Sequence, residues 1–243
     1  MKRILLSWSS GKDCAWALHL LRQQPDIEVV GLLTTLNAES DRVAMHGTRR
    51  AVLDAQAAAA GLPLWTVPLP WPCSNEVYEQ RMAAACRRAL DNRVDAIAFG
   101  DLFLHDIRSY RESQLKSAGL QPLFPLWDIP TAELARQMGE GGVRAKIVCV
   151  DSRQLDVSFA GRDFDGTLLR DLPSYVDPCG ENGEFHTCVY DGPMFSRPIP
   201  LASGETVDRE GFIYCDFEVR ETSVLQQPAA SSILLKNLAH HSN

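Results

Sequence analysis

Over its first two thirds the chain alternates short, β-rich apolar runs with longer segments of helical period. That pattern points to an α/β fold, a parallel twisted sheet with helices on both faces. Six runs qualify as strands, at residues 4–8, 27–35, 64–69, 96–100, 122–126 and 145–150. In the first intervening helix Cys14, Ala17, Leu18 and Leu21 stand at i, i+3, i+4 and i+7, one apolar stripe facing the sheet, and His19 and Arg22 are left near solvent. Further helices are expected from about residue 76 to 90 and from about 107 to 118, ending near the turn formers Asn92 and Gly119.

After Asp151 the pattern changes to proline, glycine and aspartate punctuation, followed by strand-like runs at 185–190 and 212–219. The expected division is an α/β domain over residues 1–153, a smaller α+β unit with antiparallel strands over 154–225, and a poorly ordered tail over 226–243 apart from a short helix at 233–238. A chain of 243 residues with 45% hydrophobic content is large enough to bury such a core. Seven cysteines, an odd number with no C-x-x-C pair, read as reduced thiols of a cytoplasmic protein. The basic and apolar start, Met1 to Leu6, is cut off too early by Ser7 to Asp13 for a signal peptide, and no stretch approaches the roughly 20 apolar residues of a membrane span. The net charge of −7, from 31 acidic and 24 basic residues, is opposite to the footprint of a nucleic-acid binder. A local basic patch near Arg108 and Arg111 and the oligomeric state, a homo-oligomer included, stay open.

The most informative segment runs from Ile4 to Leu18: strand, small-residue turn, helix. Its turn, Ser9-Ser10-Gly11-Lys12-Asp13-Cys14, exposes successive backbone N–H groups that add to the positive end of the helix and form a cradle for a pyrophosphate. Gly11 permits close approach or a positive φ, Lys12 supplies a charge for phosphate oxygens, and Ser9 and Ser10 add hydroxyl donors or cap the helix. The same residues also read as an ordinary βα turn with a serine cap and an exposed lysine. A Walker A loop is excluded, because Leu6 and Asp13 stand where it needs a glycine and a Ser or Thr.

The loop resembles the Ser-Gly-Gly-Lys-Asp-Ser loop of the PP-loop ATP pyrophosphatases, the adenine nucleotide alpha hydrolase-like superfamily, whose members cleave ATP to AMP and pyrophosphate. Ser10 replaces the first glycine and Cys14 the final serine, and Cys14 removes a hydroxyl donor. Far downstream, Asp177-Pro178-Cys179-Gly180-Glu181-Asn182-Gly183-Glu184-Phe185-His186-Thr187 sets Glu181, Glu184 and His186 close enough to converge on one polar ligand. As chemistry alone, this is equally a solvated acidic loop leading into a strand. Its Gly-Glu-Asn-Gly-Glu-Phe-His-Thr core is similar to the signature of the diphthine–ammonia ligase family, a PP-loop branch, and Met45-His46-Gly47 and the segment from Gly100 to Arg108 fit bacterial-type relatives.

The resemblance, which spans about residues 4–195, implies an ATP- and Mg²⁺-dependent ligase that adenylates a carboxylate and then forms an amide with ammonia. In that family the acceptor is diphthine, a modified histidine on a translation elongation factor. The resemblance makes Lys12, Asp13, Glu181 and Glu184 catalytic. It assigns ATP to Ser9, Ser10, Gly11, Lys12, Asp13, Cys14, Thr34, His46, Gly100 and Asp101, and the carboxylate-bearing substrate to Arg108, Asn182, Gly183, Glu184 and His186. Asp101 is also the candidate Mg²⁺ ligand, although a helix-capping role is as plausible for it. Cys179 reads as an inert thiol. Two rival readings are a non-catalytic ATP-binding sensor and a PP-loop enzyme that thiolates RNA. The second requires a redox-active cysteine pair and a basic surface, and neither is visible.

Overall fold

A computed structural model describes residues 1–220; the expected tail and its helix lie outside the described residues. The chain runs β1 (Lys2–Ser7), α1 (Lys12–Leu21), β2 (Ile27–Asn37), β3 (Arg42–Val43), α2 (Arg50–Ala60), β4 (Leu64–Leu69), α3 (Asn75–Asp91), β5 (Ala96–Ala98), α4 (His105–Ala118), β6 (Gln121–Leu123) and α5 (Thr131–Glu140). It continues through β7 (Arg144–Asp151), α6 (Gly166–Asp171), β8 (Phe185–Asp191), β9 (Leu201–Arg209) and β10 (Phe212–Val219).

β1 pairs in parallel with β2 and β5, β2 with β4, and β5 with β6. β3 and β4 both face Leu36 and Asn37 of β2, so they lie on opposite edges of that strand. The parallel order is therefore β4-β2-β1-β5-β6, with the antiparallel β3 beyond the end of β1. The chain winds outward from β1 in one direction and, after β4, in the other, which opens a crevice at the carboxyl ends of β1 and β5.

Strand alternation explains the two covered faces. Ile4 and Leu6 pack with Leu18 and Leu21 of α1 and Leu53 and Ala57 of α2. Leu5 points the other way, with Leu33 and Ile97, against Ala85 and Ala89 of α3 and Leu115 of α4. Gly119 ends α4 at φ +80 and Asn92 ends α3.

The second sheet, in the order β8-β7-β10-β9, is antiparallel throughout. The run at 145–150, expected as a sixth parallel strand, is β7 of this sheet. It is buried on both sides: Ile147 and Val150 join the core around α1, while Val148 packs with Val52 of α2, Cys188 and Phe217. A doubly covered antiparallel strand shows the same unbroken apolar run as a parallel one, so the sequence pattern did not separate them.

Candidate active site

Ser9 to Asp13 cross from β1 into α1 at the point where the strand order reverses. The left-handed residue of this turn is Ser10, at φ 76, not Gly11, at φ −81. Ser10 thus holds the conformation a glycine adopts freely, at the position where it replaces the first glycine of the PP-loop pattern. Its neighbours fix it there. The buried hydroxyl pairs with Thr48 Oγ1 at 2.7 Å, and the carbonyl accepts from Gln56 Nε2 at 3.1 Å and Val189 N at 2.9 Å. Gly11 is needed for close approach, since a Cβ there would stand 3.0 Å from His46 Cε1 and 3.3 Å from the Thr187 carbonyl.

Gly11 gives α1 no side-chain cap. The Lys12 N–H donates instead to Thr187 Oγ1 of β8, at 3.0 Å. Lys12 is 1% exposed, and its ammonium donates to both Asp13 oxygens, at 3.1 and 2.9 Å, and to the Cys179 carbonyl. It also lies over the rings of Phe164 and Phe185. Burial would lower the affinity of this amine for its proton, but Asp13 and the surrounding acids more than offset it, so Lys12 titrates above its ordinary value. The Cys14 thiol, pushed up to about 11 by burial, donates to the Gly11 carbonyl at 3.1 Å.

Residues 177–186 close over this loop from the second unit. Asp177 Oδ1 accepts from the N–H groups of Cys179 and Glu181, at 2.9 and 3.2 Å. Glu184, 3% exposed, accepts from Asp177 N, Asn182 N and Asn182 Nδ2 at 2.9–3.1 Å, so both its oxygens are engaged within the turn. Asn182 is exposed, and Gly183 forms the turn at φ 85. Glu181 reaches the other way, accepting from Leu102 N at 2.8 Å with one oxygen. Burial, with Asp13 and Asp101 nearby, raises its carboxyl to about 7, although the Leu102 N–H opposes the rise. Cys179 is a buried thiol whose pKa burial drives up, which fits an inert group.

Two imidazoles lie against the loop. His46 and His186 pack with centroids 4.6 Å apart and ring planes tilted by 35°, and His46 Nδ1 is 3.1 Å from the Thr187 carbonyl. Burial lowers them to about 3 and about 4, so both are neutral at pH 7. The His46 segment is strapped to β10 by Asp216, which accepts from Arg42 at 2.7 and 3.1 Å and from Arg49 Nε at 3.0 and 2.9 Å.

Beside the turn is a cavity of about 540 Å³ between α3, α4 and the ends of β1, β2 and β5, lined among others by Ser7, Ser9, Thr34, Tyr78, Phe99 and Arg111. Thr34 Oγ1 is buried there without a partner. Gly100 packs on the first turn of α1, where a Cβ would stand 2.9 Å from Cys14 N. Asp101 forms an ion pair with Arg111 at 2.6 Å. Arg108 does not join the cleft; it pairs with Glu112 at 2.7 Å and stacks on Phe124 and Trp127. Among the described residues no group of three or more His, Cys, Asp or Glu side chains is placed to hold a metal. No helix among them is long and apolar enough to cross a membrane.

Sequence reasoning missed Thr187, Thr48 and Gln56 as parts of this site. Thr187 sat within the quoted signature without a role, and of the basic pair Arg108 and Arg111 it is Arg111 that lines the cavity. Thr48 and Gln56 act through long-range hydrogen bonds that leave no local pattern.

The reversed parallel order and the Ser-Ser-Gly-Lys-Asp turn make this an α/β protein of the PP-loop type. The chain belongs to the diphthamide synthase family: the family's N-terminal domain model matches residues 1–122 and its C-terminal domain model residues 130–222. Similar proteins include the diphthine–ammonia ligases of Schizosaccharomyces pombe, 29% identical over 157 residues (62% of this chain, 26% of the relative), and Bos taurus, 28% identical over 170 residues (64% of each). That of Homo sapiens is 32% identical over 119 residues, 47% of this chain and 45% of the relative. The chain thus spans about a quarter of the first relative and less than two thirds of the others.

Proposed function

We propose that the protein is an AMP-forming carbon–nitrogen ligase that adenylates a substrate carboxylate with ATP and then forms an amide with ammonia. The observation that carries this reading is the position of Lys12. Its ammonium stands where the first turn of α1, Asp13 and the backbone of the second signature meet. The cradle at α1 takes the β- and γ-phosphates, and the neighbouring cavity, within the usual size range of ligand pockets, takes the nucleoside with Thr34 as a polar contact. The names of the relatives suggest a diphthine-type acceptor.

A carboxylate oxygen attacks the α-phosphorus, and the bond from that phosphorus to the β-bridging oxygen breaks. Lys12 and the turn amides stabilise the charge on the departing pyrophosphate. Ammonia then attacks the acyl carbon, AMP leaves, and Glu181 takes a proton from the attacking nitrogen. Glu181 suits this role because one of its oxygens is held by Leu102 and its affinity for a proton is balanced near neutral pH. Glu184, with both oxygens engaged inside the turn, shapes the acceptor side instead. Mg²⁺, expected on Asp101, has no dedicated ligand set among the described residues, and Arg111 already pairs with that carboxylate. No step is assigned to it.

Exchange of labelled pyrophosphate into ATP, with AMP release measured across a panel of carboxylic acids that includes a diphthine peptide, tests the reading. Exchange and AMP dependent on one acid class, lowered at least about 100-fold in Lys12→Ala, are expected. ATP binding with neither exchange nor AMP for any acid would leave a binding module.

A further inference from the structure

We propose that His46 and His186 form a proton-loading pair over the phosphate loop: seating a polyphosphate at the start of α1 draws one proton from solvent onto this pair. The inference rests on the proposed seating of the nucleotide at that turn.

The geometry is unusual for two histidines with only structural duties. Their ring centroids lie 4.6 Å apart with the planes tilted by 35°, one ring supplied by the strap after β3 and the other by β8. The His46 ring presses on Gly11, where a Cβ would come within 3.0 Å of its Cε1. Nδ1 of His46 is tied to the Thr187 carbonyl, whose own hydroxyl receives the first N–H of α1. His186 Nε2 is buried with no partner, a loss that a protein tolerates when a ligand atom completes the bond.

Charge decides which ligand that is. Burial holds both imidazoles neutral, the Lys12 ammonium of α1 facing the pair adds to it, and the His186 ring also opposes a charge on His46. Across β7, Cys149 is in register with His186 and is a thiol pushed up to about 12. From β10, Tyr214 packs on Gly47, its phenol also pushed up to about 12, and Asp216 is already bracketed by Arg42 and Arg49. The carboxylates these elements carry near the loop are already engaged, Asp13 by Lys12 and Asp216 by Arg42 and Arg49. A triphosphate or pyrophosphate on the turn brings several negative charges and inverts the local field. An imidazolium then becomes the favoured form and a donor to phosphate oxygen. The proton passes from solvent to an imidazole nitrogen lone pair, and no covalent bond of the ligand changes.

Nitrogen-15 NMR of the histidine rings in the unmutated protein, at pH 7 with and without saturating inorganic pyrophosphate or ATP, reads this directly. The expected result is that one imidazole of the pair moves from the neutral to the doubly protonated pattern, assigned with His186→Gln and His46→Asn. Calorimetry in buffers of different ionisation heat should show uptake of about one proton more for wild type than for the double variant, and an affinity that gains up to about tenfold more per pH unit of acidification. Protonation of the ligand's own phosphate is common to both proteins and cancels. Rings that stay neutral while pyrophosphate and ATP bind overturn the proton-loading pair and leave the ligase reading standing. Absence of binding for either ligand overturns both.

Discussion

At the scale of single residues, the second signature divides its acids between two tasks. Glu184 accepts three hydrogen bonds and faces inward, while Glu181 leaves one oxygen free in the cleft. Glu184→Gln turns one acceptor into a donor facing a donor, and should destabilise the fold by about 2–3 kcal/mol, read as a drop in the urea midpoint at constant slope. The two carboxylates looked alike in sequence because spacing shows proximity and not direction. Ser10 carries the same lesson. Its departure from glycine raised a question about the loop, and the structure answers with a left-handed serine held by Thr48, Gln56 and Val189. None of those partners lies within 35 residues of it in the chain.

Among elements, β1, the turn and α1 were legible because strand alternation, small residues and a 3.6-residue stripe agree with one another over fifteen residues. β3 was not, being only two residues long. Nor was the sheet to which β7 belongs, since its partners lie far along the chain. The strap from β3 to α2 depends on Asp216, whose carboxyl is held well below the usual range by Arg42 and Arg49 against the opposing effect of burial. Asp216→Asn should free that segment at a modest loss of about 1–2 kcal/mol, discounted for the partial exposure of both arginines. Faster amide exchange at residues 43–48, with a weaker affinity for ATP, is the expected signature; unchanged exchange there would show that the strap is held by packing.

For the whole molecule, the two imidazoles and, against them, the buried carboxyls of Glu181 and Asp13, both raised by burial, set how stability responds to mild acid. His46 and His186, lowered to about 3 and about 4, stay neutral in the fold while the unfolded chain protonates them below about pH 6.5, so acidification destabilises. Glu181, raised to about 7, takes its proton earlier in the folded state than in the unfolded one, so the stability it contributes grows as pH falls from 7 toward 4.5. Asp13, raised in the same direction, adds to Glu181 at the acid end of the range, while the two imidazoles dominate just below pH 6.5, where the denaturation midpoint should fall. It should fall more steeply in Glu181→Gln and flatten or reverse in the His46→Asn, His186→Asn pair. The order of the chain adds a temporal consequence to the way β8 finishes the turn. Cys179, Thr187 and Val189, which hold Lys12 and Ser10, are translated long after the first sheet is complete. A nascent polypeptide that has reached only β6 therefore carries an unfinished turn, whose geometry is completed only once β8 has been made.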